Sequence, residues 1–374
     1  MTVKFITRKR SDLDFKSLMR GYVTEDSSGV GAPVYGQRAI PVKSLNINLL
    51  SEEVTFQIFM EKDLPQFSFF KKVEALFSLR YWIFILLPLL TVLGYRTIDG
   101  HAWDSQKAFI LLIGAVLGFS SFKLVSDLID FYSGWDRVER FKFLNNSHHH
   151  SLTEGLLTVT QVGWALAVQM IFSFLCLSLI WIDQKNNSLL FLFLAALVLS
   201  FIWIKAKPPW KYRVGGEWLS FILLGPFLVF GYVLGIGSEI SNEDIWLGLI
   251  FGLSTLLLTQ TSQIKNLMSF YKAGFRTTLV TLGFEKAKKW LQFLYFLYFV
   301  GLVAYQWIYH GYDWGFVFLI VSVFALLSLF KVSRMLQSPL GTGVDKFIKM
   351  TRSGVLITYA LFCLQMVWYF IKLS

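Results

Sequence analysis

The stretch SLLFLFLAALVLSFIWI at residues 188–204 contains no charged residue, no glycine and no proline. It does not alternate apolar with polar positions, as a barrel strand must. Its length approaches the roughly 20 residues that a helix needs to cross hydrocarbon. Eight further apolar runs flank it, at about 81–95, 107–126, 158–182, 218–236, 245–262, 290–308, 315–330 and 354–371. Inside a bilayer every backbone amide needs a partner within the chain, so continuous runs of this kind are read as helices. The expected fold is an all-α polytopic membrane domain of about nine transmembrane helices over residues 76–374.

The composition agrees. Of 374 residues 55% are hydrophobic and 16% are charged, whereas a soluble domain keeps about a quarter of its residues charged. The excess of 35 Lys+Arg over 24 Asp+Glu, net +11, is read as loops held against anionic lipid, and no nucleic-acid partner is expected. Cys176 and Cys363 lie inside apolar runs without C-x-x-C spacing, which argues against a zinc site or a disulfide framework. Residues 1–75 form a polar extension that opens with Arg8, Lys9 and Arg10. Leu45, Ile47 and Leu49 alternate with polar residues before Glu52 and Glu53, and Val54, Phe56, Ile58 and Met60 alternate after them. That pattern predicts a small β-hairpin at 44–60, with an irregular membrane-surface arm as the alternative.

Loop charge sets the expected orientation. One set of loops carries Arg137, Arg140, Lys142, Lys205, Lys207, Lys211, Arg213, Lys265, Lys272, Arg276, Lys286, Lys288, Lys289, Lys331, Arg334, Lys346, Lys349 and Arg352. The alternate set holds Arg96, Lys107 and Lys185, with no Lys or Arg after spans five and seven. The positive-inside rule then places the first set and the N-terminus in the cytoplasm and, after an odd number of spans, Ser374 outside.

Acids at a membrane edge are expensive and raise a functional hypothesis. The end of span two reads Lys123-Leu-Val-Ser126-Asp127-Leu-Ile-Asp130-Phe-Tyr-Ser-Gly134-Trp-Asp136. Asp127 and Asp130, three apart, share one helix face, and Gly134 can turn Asp136 back toward them. Three converging carboxylates would suit Mg2+. An ion-pair lattice is the competing reading, because Lys123 stands four residues before Asp127 and Arg137 and Arg140 follow closely.

The segment from Ser126 to Asp136 resembles the first aspartate-rich motif of the UbiA superfamily of membrane prenyltransferases. It is most similar to the branch that prenylates 1,4-dihydroxy-2-naphthoate in menaquinone synthesis. Leu79-Arg80 before span one, Thr153-Glu154-Gly155 to Gln161-Val162, Lys211-Tyr212-Arg213-Val214-Gly215-Gly216-Glu217 with Gly225-Pro226, and Ala273-Gly274-Phe275-Arg276-Thr277 resemble further family elements in order. The resemblance implies helices around a central cavity, a polyprenyl diphosphate donor, an aromatic acceptor and Mg2+. It makes Asp127, Asp130 and Asp136 the metal ligands, and Lys211, Tyr212 and Arg213 the approach to diphosphate. It also implies membrane lipid or isoprenoid as the partner, and the bacterial cytoplasmic membrane as the location.

The second aspartate motif departs from the family. Its acids fall on Asn266 and Phe270, and no Asp or Glu occurs between Asp244 and Glu285. Lys123 and Ser126 replace the asparagines usual in the quinone branch, while Lys265, Lys272 and Arg276 remain as candidate diphosphate contacts. Two readings follow. In one, a single Mg2+ rather than two works with the basic residues, and the chain is an active prenyltransferase. In the other, which the lost acids and Lys123 favour, it is a pseudoenzyme that binds a lipid or quinone, or a structural subunit of a membrane complex. A transporter is a third class, though Gly225-Pro226 is an unpaired helix interruption. His148, His149 and His150 read as a solvated loop, and Gly231, Gly235 and Gly237 as close helix packing.

Topology is testable in a Cys176→Ser, Cys363→Ser background. A membrane-impermeant maleimide applied to intact cells is expected to label Asn186→Cys and spare Asn145→Cys; the reverse pattern would invert the orientation.

Overall fold

Within hydrocarbon a helix satisfies every backbone amide inside its own segment, and the runs read from the sequence are helical in the computed structural model. The structure describes residues 4–9, 37–41, 53–60, 68–79, 82–98, 104–133, 152, 156–205, 210–265, 267–272, 275–336, 338 and 343–373. They fall into two compact units, Met1–Arg80 with Leu117–Ile171, and Tyr81–Val116 with Phe172–Ser374.

The first unit begins with strands β1 (Lys4–Lys9), β2 (Gln37–Pro41) and β3 (Glu53–Met60), which form an antiparallel sheet in the order β1-β3-β2. Ile6 pairs with Phe56, and Ala39 with Ile58. The later arm of the expected hairpin at 44–60 is thus β3, but its partners lie at 4–9 and 37–41, and residues 44–52 fall outside the described residues. Helix α1 (Phe69–Phe77) starts at Ser68, whose Oγ accepts from the Lys71 N–H, and stops at Ser78 in the left-handed region. Its last carbonyls, orphaned by the end of the helix, accept from side chains: Phe77 O from Ser120 Oγ at 2.8 Å and Leu76 O from Gln169 Nε2 at 3.1 Å. Ala75, Leu124, Leu156, Leu157 and Val162 make the core of this unit.

The remaining helices are α2 (Ile83–Ile98), α3 (Ser105–Ser133), α4 (Val159–Gln184), α5 (Asn187–Lys205), α6 (Gly216–Leu224), α7 (Pro226–Gly235), α8 (Asn242–Lys265), α9 (Leu267–Lys272), α10 (Thr278–Met335) and α11 (Gly343–Leu373). Among the described residues seven segments are long and apolar enough to cross a membrane, with α6 and α7 forming one of them. The 58-residue α10 is two spans. Its backbone breaks at Gly311 (φ 80°), and it folds back so that Lys288 Nζ donates to Leu336 O and Gln292 Nε2 to Ser333 Oγ. With the shorter apolar helix Ile83–Thr97, the described residues hold about nine such segments, in step with the apolar runs.

Where lipid offers no hydrophobic incentive for helices to associate, glycine contacts and buried polar pairs take over. Span five breaks at Gly225, and that glycine lies against Gly248 and Gly252 of α8; a Cβ at Gly252 would stand 2.8 Å from the Phe221 carbonyl oxygen. Of the glycines expected at helix contacts, Gly235 lies tight against Leu111, whereas Gly231 meets only an ordinary contact with Leu192. Deep in the second unit, Gln306 and Gln365 exchange reciprocal amide hydrogen bonds of 3.0 and 2.9 Å. Ser254 pairs with Tyr359, and Tyr298 with Thr358, each at 2.6 Å.

One end of α8 is held by charge. Ser241 and Asp244 form a capping box, and Asp244 Oδ2 also accepts from Arg96 at 2.6 Å. Beside it Glu243 accepts from the Tyr305 hydroxyl at 3.1 Å and lies 3.3 Å from His310 Nε2, whose ring stacks on Tyr95. Both acids occupy the first turn of α8, where the helix dipole favours negative charge.

Gly252→Val should overpack the span five–span six contact and destabilise the protein by about 1–3 kcal/mol. A lowered melting temperature in detergent checks this, and an unchanged melt would show that the two spans slide apart freely.

Candidate functional site

The basic loop between spans four and five is built by two glycines. Trp210–Tyr212 forms a single turn of tight helix, Gly215 adopts φ 81°, and a side chain at Gly216 would collide with the Trp210 carbonyl. The indole N–H of Trp203 on α5 donates to Gly216 O at 2.9 Å and fixes the loop to the preceding span.

The opposite side of the loop is tied to the start of α10. Arg276 N–H donates to Tyr212 O at 3.0 Å, and Gly215 N–H to Thr278 Oγ1 at 3.1 Å. Glu217 completes the clasp. Buried at 2% exposure, it accepts from the Thr278 hydroxyl at 2.9 Å through one oxygen and from the Thr278 N–H at 3.3 Å through the other. Thr277 caps α10 through its own hydroxyl. A carboxylate placed against the first turn of a helix meets favourable N–H dipoles, so Glu217 joins the two family-like segments electrostatically as well as sterically.

This clasp brings Lys211, Tyr212 and Arg213 beside Arg276. Lys211 is half-buried with its Nζ 5.0 Å from the centre of the Tyr212 ring, while Arg213 and Arg276 are exposed. The Tyr212 ring stacks on Phe275 at 4.0 Å with 12° between planes, and Phe275 meets Phe270 edge-on at 5.4 Å. Phe270, standing where the second motif would carry a carboxylate, is therefore buried in an aromatic stack whose far ring, Tyr212, lies near Lys211. Lys265 ends α8 and Lys272 ends α9; their side chains, and the whole of Asn266, lie outside the described residues.

The acidic cluster belongs to the first unit. Asp127 lies on α3, half-buried, and its Oδ2 is 3.1 Å from Lys123 Nζ one turn earlier. Ser126 is buried on the same helix. Asp130 continues the face one turn on, but its side chain and all of Asp136 lie outside the described residues. Among the described residues no group of three acidic, histidine or cysteine side chains is placed to hold a metal. The i,i+4 spacing of Lys123 and Asp127 is thus realised as an ion pair.

The sequence motifs single out neither Glu217, which closes the segment Lys211–Glu217, nor Thr278, which follows Ala273–Thr277. A lone acid at the first position of an apolar run, and a Thr-Thr pair just before another, were the available signals. The Glu243, His310 and Tyr305 cluster carries no signal in the sequence, because acids at a span end look like ordinary flanking residues.

The UbiA prenyltransferase family matches residues 85–370. Solved structures similar in fold include digeranylgeranylglyceryl phosphate synthase, with a TM-score of 0.56, 15% identity, and 80% of this chain aligned to 98% of that one. A UbiA homologue from Archaeoglobus fulgidus bound to GPP and Mg2+ aligns with a TM-score of 0.52 and 15% identity over 78% of this chain and 99% of its own. An apo UbiA homologue from Aeropyrum pernix K1 aligns with a TM-score of 0.53 and 13% identity over 75% and 98%. No curated protein matches the chain in sequence.

Glu217→Ala strands the Thr278 hydroxyl and N–H and should release the loop, at a cost of about 1–3 kcal/mol. Limited trypsin digestion should cut faster after Lys211, Arg213 and Arg276, with Glu217→Gln intermediate; cleavage at the wild-type rate in both variants would refute the clasp.

Proposed function

The chain belongs to the UbiA prenyltransferase family, and on that premise we propose that it binds an isoprenoid diphosphate in the membrane while the metal-dependent transfer chemistry has been lost. The observation that carries this reading is the Phe270–Phe275–Tyr212 stack. Phenyl rings cannot ligate Mg2+, and Arg276 beside them repels a second cation. A two-ion site does not fit these residues. The Lys123–Asp127 pair supports the same conclusion at the first motif, since an ammonium at 3.1 Å neutralises the carboxylate that would serve a metal.

What this chain's own residues do follows from their chemistry. Arg213 and Arg276 are planar donors suited to paired phosphate oxygens, and Lys211 adds a third positive charge. The clasp of Glu217 with Thr278 holds the peptide that carries the first of these against the peptide that carries the other. Such a group holds an anionic head without a metal and supplies no acid or base to the isoprenoid. The finer assignment is a relative of the 1,4-dihydroxy-2-naphthoate branch in a bacterial cytoplasmic membrane, with its N-terminus inside. It retains a polyprenyl lipid or quinone as ligand and serves alone or within a membrane complex.

The test uses purified full-length protein, a labelled polyprenyl diphosphate, 1,4-dihydroxy-2-naphthoate and Mg2+. The donor is expected to bind with or without a chelator, to lose about tenfold or more in affinity in Arg276→Ala, and to give no prenylated product. Product that forms with Mg2+ and disappears in Asp127→Ala would overturn the reading in favour of an active, single-ion enzyme.

A further inference from the structure

At the turn between spans seven and eight a groove of about 440 Å³ is lined by Trp307, Tyr312, Asp313 and Phe316. The glycines of the turn build it. Gly311, at φ 80°, reverses the chain, and Gly315 is buried beneath Trp307, whose indole a Cβ at that position would strike. Tyr312 and Phe316, four residues apart at the start of span eight, supply two further aromatic walls that are 86% and 60% exposed.

Charge completes the picture. Residues 309–315 read Tyr-His-Gly-Tyr-Asp-Trp-Gly, without Lys or Arg. Asp313 makes no ion pair among the described residues; the neighbouring His310 is committed to Glu243 and Tyr305. Asp313 also sits in the opening turn of span eight, just after the break at Gly311. A carboxylate beside three aromatic faces attracts an organic ammonium by charge and by cation–π contact. An interfacial aromatic anchor needs neither the acid nor the glycine seat.

We propose that this groove binds the ammonium head of a membrane phospholipid of the ethanolamine type. The groove opens at a span end, where lipid headgroups lie, and its single formal charge is complementary to an ammonium and opposed to an anionic lipid.

Full-length protein in nanodiscs of equal phosphatidylethanolamine and phosphatidylglycerol is delipidated stepwise, and the retained lipid is measured by native mass spectrometry. Wild type should retain ethanolamine lipid in preference. Asp313→Asn and Trp307→Leu should each cut that preference by about threefold, and Asp313→Glu should keep it. Both substituted side chains are exposed, and melting temperatures within a few degrees of wild type confirm that the fold is intact. Equal retention of both lipids, or a preference that survives both variants, overturns the proposal and leaves the rings as interfacial anchors.

Discussion

Lipid removes the usual reason for one apolar helix to lie against another, and the second unit shows what replaces it. Backbones approach where side chains are missing, as at Gly225, Gly248 and Gly252, and polar atoms pair where no water can serve them, as at Gln306 with Gln365. Each device is specific to one register. A helix that slid by a turn would bury a lone amide or press a side chain into a carbonyl, so span six can meet span five, and span seven can meet span nine, in one way only.

That rigidity is what positions the basic loop. Trp203 ties it to the end of span four, and Glu217 and Thr278 tie it to the start of span seven. The loop is short, glycine-shaped and held on both sides, so the residues flanking Tyr212 are delivered to a fixed place rather than sampling many. The same scaffold serves either chemistry. What differs from the family pattern is the electrostatics of a few positions, with an amide at Asn266 and a ring at Phe270 in place of acids and a cation at Lys123 in place of an asparagine.

How much of this was legible follows from the range of each interaction. The spans could be read because their signal is local: a long uncharged run has one stable form in hydrocarbon. The Lys123–Asp127 pair was legible for the same reason, being one helical turn long. The partner of Glu53–Met60 was not, since alternation marks a strand but says nothing about whether residues 44–50 or the distant 4–9 will pair with it. The Glu217 clasp and the Glu243–His310 pair join residues about 60 positions apart, and no spacing rule reaches across separate helices. Phe270 could be recognised as a departure, but that its ring would complete a stack with Phe275 and Tyr212 depended on a turn that only the folded chain displays.

The ion pair on α3 also bears on biosynthesis. A translocon presented with a nascent helix weighs each charge it carries, and an isolated carboxylate or ammonium hinders partitioning into lipid. Because Lys123 and Asp127 lie on one turn, they can neutralise each other as soon as that turn forms, before any other helix arrives. The segment then enters the bilayer as a dipole instead of two ions, and it does so without a metal, a ligand or a neighbouring span.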